Sequence, residues 1–200
     1  MPARRPIQLL VIHCTATPNG ASLFSRDPDR TPLEAIDAMH AARGFSRTAE
    51  WRAKQNGALR AIGYHFVLYV DGTVATGRAI EEVGAHVKDW NAYSLGLALI
   101  GTDAFTRLQW TRLAELVEKL CTQYRIPPRA VSSTQGRRAA LMGVAGHRDL
   151  SDDLDKDGTI ERQEWIKTCP GFSVADWMSG GMQPLAGHIA PDPATRSRAR

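Results

Sequence analysis

Cysteine is scarce: Cys14, Cys121 and Cys169 are the only three in 200 residues. An odd number without regular spacing excludes a disulfide framework as the source of stability. Long apolar runs are also missing. None approaches the roughly eighteen residues of a membrane span, so no span is expected. Blocks of like charge are absent, apart from the closing Arg-Ser-Arg-Ala-Arg. The net charge of +4 and pI near 9.2 are spread along the chain, and no basic face with interleaved aromatics appears. Nucleic acid is therefore not an expected partner, whereas an anionic wall or membrane surface suits the mild positive balance. The start, MPARRPIQLLVIHC, has arginines before an apolar stretch, but Gln8 and His13 interrupt it and no small-residue cleavage site follows. It reads as a strand rather than an export signal, with synthesis in the cytoplasm as the expectation.

What is present suits one compact domain, since 43% apolar content over this length supports a single good core. Ile7 to Cys14 is a continuous apolar run, as in a strand buried on both faces. Thr31 and Glu34 form a capping box with Pro32 at the first helical position, and Gly44 ends that helix. Leu33, Ile36, Met39 and His40 would share its inner face. The polar stretch from Ser46 to Arg60 has the composition of a surface insertion with room for a short helix. Tyr64 to Val70 and Thr73 to Gly77 flank Asp71-Gly72 as a hairpin. Ser94 to Gly101 predicts another buried strand, and Phe105 to Tyr124 a long amphipathic helix opened by a Thr106/Gln109 capping box. Cys121 lies on the core stripe of that helix and reads as packing. Leu141 to His147 looks like a last strand. The expected fold is α/β, a single mixed central β-sheet flanked by helices, over residues 1–180. The Gly-, Pro- and Ala-rich residues 181–200 read as a disordered basic tail.

Two groups of residues carry metal-type chemistry. His13 ends the first strand, His147 ends the last in GHRDL, and Cys169 stands in KTCPGF. Each alone reads as packing or as a hydrogen-bonded core residue. Together, two imidazoles and a thiolate have the ligand number and softness of a catalytic zinc site. The second group is contiguous: Asp153, Asp155, Asp157, Gly158 and Glu164 match the calcium-loop pattern D-x-[DN]-x-[DN]-G-x5-E, with Ile160 in its apolar slot. Asp153, Asp155 and Asp157 would offer side-chain oxygens, Thr159 its carbonyl, Glu161 a direct or water-mediated contact and Glu164 a bidentate carboxylate. An ordinary acidic turn is the alternative. Only the outgoing side, from about Glu161, reads as helical, so the segment is an EF-hand-like loop rather than a full EF-hand.

VIHCTAT, GYHFVLYVDGTVATGR, VGAHVKDWN, SLGLALIG, GHRDL and KTCPGF occur in that order. Together they resemble the zinc-dependent N-acetylmuramoyl-L-alanine amidases, in particular the short phage lysozymes of amidase type, from about Ile7 to Trp177. The resemblance implies the amidase and peptidoglycan-recognition-protein fold, with zinc on His13, His147 and Cys169 and with Tyr64 and Lys167 as catalytic side chains. It places His86 and Asn91 beside the substrate groove. Tyr64 and His65 alternate along a strand, so only one can face the metal; Tyr64 is the expected one. Family members that recycle wall fragments carry a glutamate where Ala98 stands here, which turns the expectation toward the phage type. The expected activity is that of an endolysin, monomeric, cleaving the N-acetylmuramic acid–L-alanine amide of bacterial peptidoglycan. It would be made in a host cytoplasm and reach the wall after membrane permeabilisation. Zn2+ and Ca2+ are the expected cofactors. A peptidoglycan-recognition module that binds without cutting, and a cytoplasmic recycling amidase, are the alternatives.

Overall fold

The structure, a computed structural model, describes residues 5–23, 30–135 and 140–192. Five strands form one mixed sheet in the order β3-β2-β4-β1-β5. They are β1 (Leu9–Cys14), β2 (Phe66–Leu68), β3 (Val74–Thr76), β4 (Ser94–Leu99) and β5 (Gly143–Gly146). β1 lies at the centre of a parallel block, with β4 on one side and β5 on the other, while β3 returns antiparallel to β2. Every residue of β1 and β4 is buried, as strands covered on both faces require. The helices are α1 (Pro32–Ala41), α2 (Ala49–Lys54), α3 (Arg107–Tyr124) and α4 (Val174–Ser179).

One sheet face is covered by α3 and α4. Leu10 and Ile12 of β1 and Leu95, Leu97 and Leu99 of β4 pack there against Trp110, Leu113, Val117, Phe172 and Trp177. The rings of Trp110 and Phe172 meet edge to face, 4.7 Å between centroids. Each such fully buried side chain contributes about 1.5–3 kcal/mol relative to an exposed one, so this face holds much of the stability. The Thr106/Gln109 box forms as the sequence predicts, and it also ties α3 to the sheet. Thr106 Oγ1 donates to the Val70 carbonyl, and Gln109 Nε2 to those of Leu68 and Ile100.

On the opposite face the apolar cover is split. One cluster joins α1, through Leu33 and Ile36, to Val67, Ala98 and Ile100. Another joins Leu9 and Val11 to Val87, Trp90, Val131 and Leu150. His13 shares the parity of Leu9 and Val11 and stands in the gap between them. That gap is where the polar chemistry collects.

Several local expectations differ from what forms. The hairpin loop spans Val70–Gly72 rather than two residues: the Tyr69 N–H bonds the Thr73 carbonyl, and Gly72 takes a φ of +82°. Met39 is 40% exposed and lies off the inner face of α1. The polar segment 46–60 is not merely laid over the surface. Arg47 is buried and its guanidinium donates to both oxygens of Glu82 and to the carbonyls of Gln55, Asn56 and Leu59. A fully satisfied guanidinium can be buried where an unpaired one cannot, which is why composition misplaced it.

The expectation of a tail beginning at 181 fails for its first part. The Phe105 N–H donates to the His188 carbonyl, the Ala190 N–H to the Phe105 carbonyl, and Trp110 Nε1 to the His188 carbonyl. The segment thereby satisfies backbone groups ahead of α3, a gain that composition does not register. Residues 193–200 of the expected tail lie outside the described residues.

Candidate metal centre

Parallel strands bring their carboxyl ends to one edge, and ligands collect where neighbouring connections leave that edge in opposite directions. β1 sits at such a point between β4 and β5. His13 is its fifth residue, and His147 immediately follows β5. Ile12 of β1 is in register with Gly146 of β5, so the two histidines emerge side by side. Cys169 arrives from the segment before α4 and is held at both ends: its Sγ accepts the Cys14 N–H at 3.2 Å, and its carbonyl accepts the Arg148 N–H at 3.0 Å.

The three donor atoms converge. His13 Nδ1 lies 3.2 Å from His147 Nδ1 and 3.6 Å from Cys169 Sγ. A tetrahedral ion with Zn–N near 2.0–2.1 Å and Zn–S near 2.3 Å would separate its ligand atoms by about 3.3 Å for N···N and about 3.6 Å for N···S. The donor set and its spacing fit zinc. Burial holds both imidazoles neutral, His13 well below its ordinary pKa and His147 at about 4, so their lone pairs are free at neutral pH. Burial pushes the Cys169 thiol well up, so that binding a metal as thiolate would release its proton.

These residues floor an open cleft of about 450 Å³. Tyr64 forms a wall, with its ring centroid 5.2 Å from that of His13. Desolvation raises its hydroxyl pKa far above neutrality, so it is held as a donor. Lys167 and Arg43 also line the cleft, Lys167 being exposed. His65 points the other way, as strand alternation requires. Its Nδ1 accepts the Gly96 N–H and its Nε2 faces the Glu82 carbonyl. Ala98 is the register partner of His13, and its methyl is fully buried in the apolar cluster under α1.

Of His86 and Asn91, both expected beside the groove, His86 lines the cleft and Asn91 does not. His86 reaches the cleft wall, but its Nδ1 is turned on His13 Nε2 at 3.0 Å. Asn91 is not among the lining residues. Its Oδ1 accepts the N–H groups of His86 and Val87 and staples that loop.

Sequence reasoning missed the support of Tyr64. Asp37 of α1 accepts N–H bonds from Arg60, Ala61 and Ile62, and His40 Nδ1 accepts the Gly63 N–H at 2.9 Å. Together they set the chain that enters Tyr64. The available hint was polar residues at 37 and 40 on an otherwise apolar helix face.

The acidic loop closes on itself. Asp153 accepts the N–H groups of Lys156 and Gly158, and Asp157 accepts the N–H and the hydroxyl of Thr159. Glu164 accepts from Leu154 and Glu161. Asp153, Asp155 and Glu164 bring carboxylate oxygens together, as do Asp155, Asp157 and Glu161. The outgoing helix expected from Glu161 is only one turn, Arg162–Glu164. Just after the loop, the Trp165 ring lies 4.2 Å under the guanidinium of Arg148, the residue that follows His147.

The mixed α/β sheet thus presents two imidazoles and a partly buried thiol together at the floor of a cleft. The chain belongs to the N-acetylmuramoyl-L-alanine amidase family, whose pattern matches residues 3–172. It is 39% identical over 142 residues to the endolysin of Klebsiella phage KP32, covering 67% of this chain and 74% of that protein. The endolysin of Enterobacteria phage K11 is 30% identical over 146 residues, 69% of this chain and 76% of the relative. The fold is that of the endolysin N-acetylmuramoyl-L-alanine amidase LysCS from Clostridium intestinale URNW, with a TM-score of 0.55 and 22% identity over 90% of this chain and 86% of that one. Among the described residues no helix is long and apolar enough to cross a membrane.

Proposed function

We propose that the chain is a peptidoglycan hydrolase of the endolysin type. It cleaves the amide between N-acetylmuramic acid and L-alanine with a zinc ion held by His13, His147 and Cys169. The observation that carries this reading is the spacing of the three donor atoms at the floor of the cleft, in a chain of this family. The endolysin relatives support a lytic role on the wall; in our reading the chain acts as a monomer on bacterial peptidoglycan, reached from a host cytoplasm once the membrane is breached.

An amide carbonyl is a poor electrophile, so its hydrolysis needs an activated water and a stabilised oxyanion. A zinc ion at these residues supplies a Lewis acid and lowers the pKa of a water toward ~7. His13 and His147 present neutral lone pairs, and Cys169 a thiolate once its proton has left. Tyr64, held protonated by burial, donates a hydrogen bond to negative charge developing in the cleft. Lys167 brings positive charge to the same place and can hand a proton to the departing amine. Ala98, beside His13, carries no proton, so that work falls to Tyr64 and Lys167.

The test is digestion of purified peptidoglycan by zinc-loaded protein, with products identified by mass spectrometry. Free peptide stems beginning at L-alanine are expected, and chelation should abolish them. Wall binding without release of stems would establish the recognition-module alternative instead.

The loop at 153–164 is read as a calcium site, with ligands from Asp153, Asp155, Asp157, Glu161 and Glu164 and the Thr159 carbonyl. The support is the two sets of converging carboxylates and the Gly158 φ of +94° that the loop's turn needs. Calorimetric titration with Ca2+ and Mg2+ tests it. An absence of calcium-selective heat would leave an acidic turn.

A further inference from the structure

The chemistry behind His13 is as specific as that in front of it. With its Nδ1 turned toward His147 and Cys169, the ring proton of His13 belongs on Nε2, and the atom facing Nε2 is His86 Nδ1 at 3.0 Å. His86 then accepts through Nδ1 and carries its own proton on Nε2. That proton points toward Ser94 Oγ, which lies 3.5 Å away and itself donates to the Trp90 carbonyl at 2.9 Å. The two imidazoles stand edge to face, with centroids 5.0 Å apart. Every donor in this row meets an acceptor with a single choice of tautomers.

The row has a dedicated slot. A Cβ on Gly84 would fall 2.4 Å from His86 Cδ2, and one on Gly96 would fall 2.7 Å from Cδ2 and Cγ of the same ring. Neither glycine has a positive φ, so backbone freedom does not explain either. Both leave room for the His86 imidazole, Gly96 for that ring alone and Gly84 also for His65, whose Cε1 would lie 2.9 Å from its Cβ. From below, Asn91 Oδ1 fixes the backbone by accepting from His86 and Val87.

We propose that His86 is a positioning residue for the metal centre. It accepts the Nε2 proton of His13 and thereby fixes the ring and tautomer that present Nδ1 as a ligand, while Gly84, Gly96 and Asn91 hold His86 in place. The inference rests on the zinc reading of His13, His147 and Cys169. Hydrogen-bond partners of this kind change metal affinity by about 10- to 100-fold when removed.

The experiment measures zinc affinity by competition with a chromophoric chelator in the wild type, His86→Leu, His86→Asn, His86→Gln and Gly96→Ala, with the melting temperature of each zinc-free protein as a folding control. An asparagine oxygen can occupy the position of Nδ1, whereas a glutamine amide reaches that of Nε2. His86→Asn should therefore stay within about threefold of wild type, while His86→Leu and His86→Gln lose about 10- to 100-fold. Gly96→Ala, which pushes on the ring without removing it, should also weaken binding. Long-range 15N spectra of the zinc form should show His13 protonated on Nε2 in the wild type and in His86→Asn. If His86→Leu binds zinc as tightly as wild type, or if Asn and Gln behave alike, the positioning role is wrong. The Asn and Gln pair carries the test should the leucine variant fail to fold. A wild-type chain with no zinc affinity would overturn the ligand set, and this inference with it; a zinc-binding wild type beside an equally tight His86→Leu would overturn this inference alone.

Discussion

The His13–His147–Cys169 cluster and the acidic loop at 153–164 both gather ligand-type atoms, and they do so on opposite plans. The loop draws its carboxylates from adjacent residues, lies mostly exposed, and satisfies itself with its own N–H groups. The cluster draws its members from two strand ends and a distant segment, with His13 buried and His147 and Cys169 partly buried at the cleft floor. Exposed carboxylates in water tolerate an empty loop, because solvent screens their repulsion. A thiol and two imidazoles brought together from separate parts of the chain have no contiguous loop to hold them, so the sheet has to enforce their arrangement. The first plan is local and self-satisfied, whereas the second exists only once distant segments have assembled.

The most severe way to break the comparison is at the cluster. Cys169→Ala or His13→Ala should remove zinc and wall lysis together, since two remaining ligands hold the ion poorly. Zinc content by atomic emission alongside turbidity loss of cell walls checks this, and full lysis by a zinc-free variant would refute the ligand set. Next in size, Lys167→Ala should lower turnover about a hundredfold with zinc retained, the scale of losing one oxyanion stabiliser. An effect confined to KM would move Lys167 out of the chemistry.

A third effect separates buried from exposed titration. Burial lowers His40 to about 4 and His65 to about 3, so the unfolded chain takes up protons between their ordinary pKa and these values while the folded chain does not. Stability of the zinc-free protein is complete above about pH 6.5 and should fall by about 1.4 kcal/mol per pH unit for each histidine as pH drops toward 4. Urea unfolding as a function of pH measures the slope. His40→Asn, which keeps an acceptor for the Gly63 N–H, should flatten it, and an unchanged slope would assign the acid limb elsewhere. The smallest effect is expected at the loop. Calcium at a hundredfold excess over its Kd would stabilise the fold by about 2.7 kcal/mol through mass action. Asp153→Ala/Glu164→Ala should abolish that gain and leave the zinc content intact. Loss of zinc in this double variant would show that the two regions are coupled through Arg148 and Trp165.

The fold was legible wherever one element carries its own evidence. Apolar runs at Ile7–Cys14 and Ser94–Gly101 must be buried strands, and the two capping boxes name their helices, because these patterns depend on neighbours a few residues apart. The contiguous acidic motif was legible for the same reason, and the motif order along the chain disclosed the family. Other features rest on partners distant in sequence: Arg47 against Glu82, the segment after 181 against Phe105, Asp37 and His40 under the approach to Tyr64, and His86 turned on His13 at the cleft wall. A polar residue reads as surface or as ligand until its partner is known, and partners are assigned by the register of the sheet. Local propensity, capping and the choice of donor chemistry were therefore settled by the sequence itself. Which nitrogen faces the cleft, which histidine stands behind it and which charge is safely buried were decided only when β1, β4 and β5 came together.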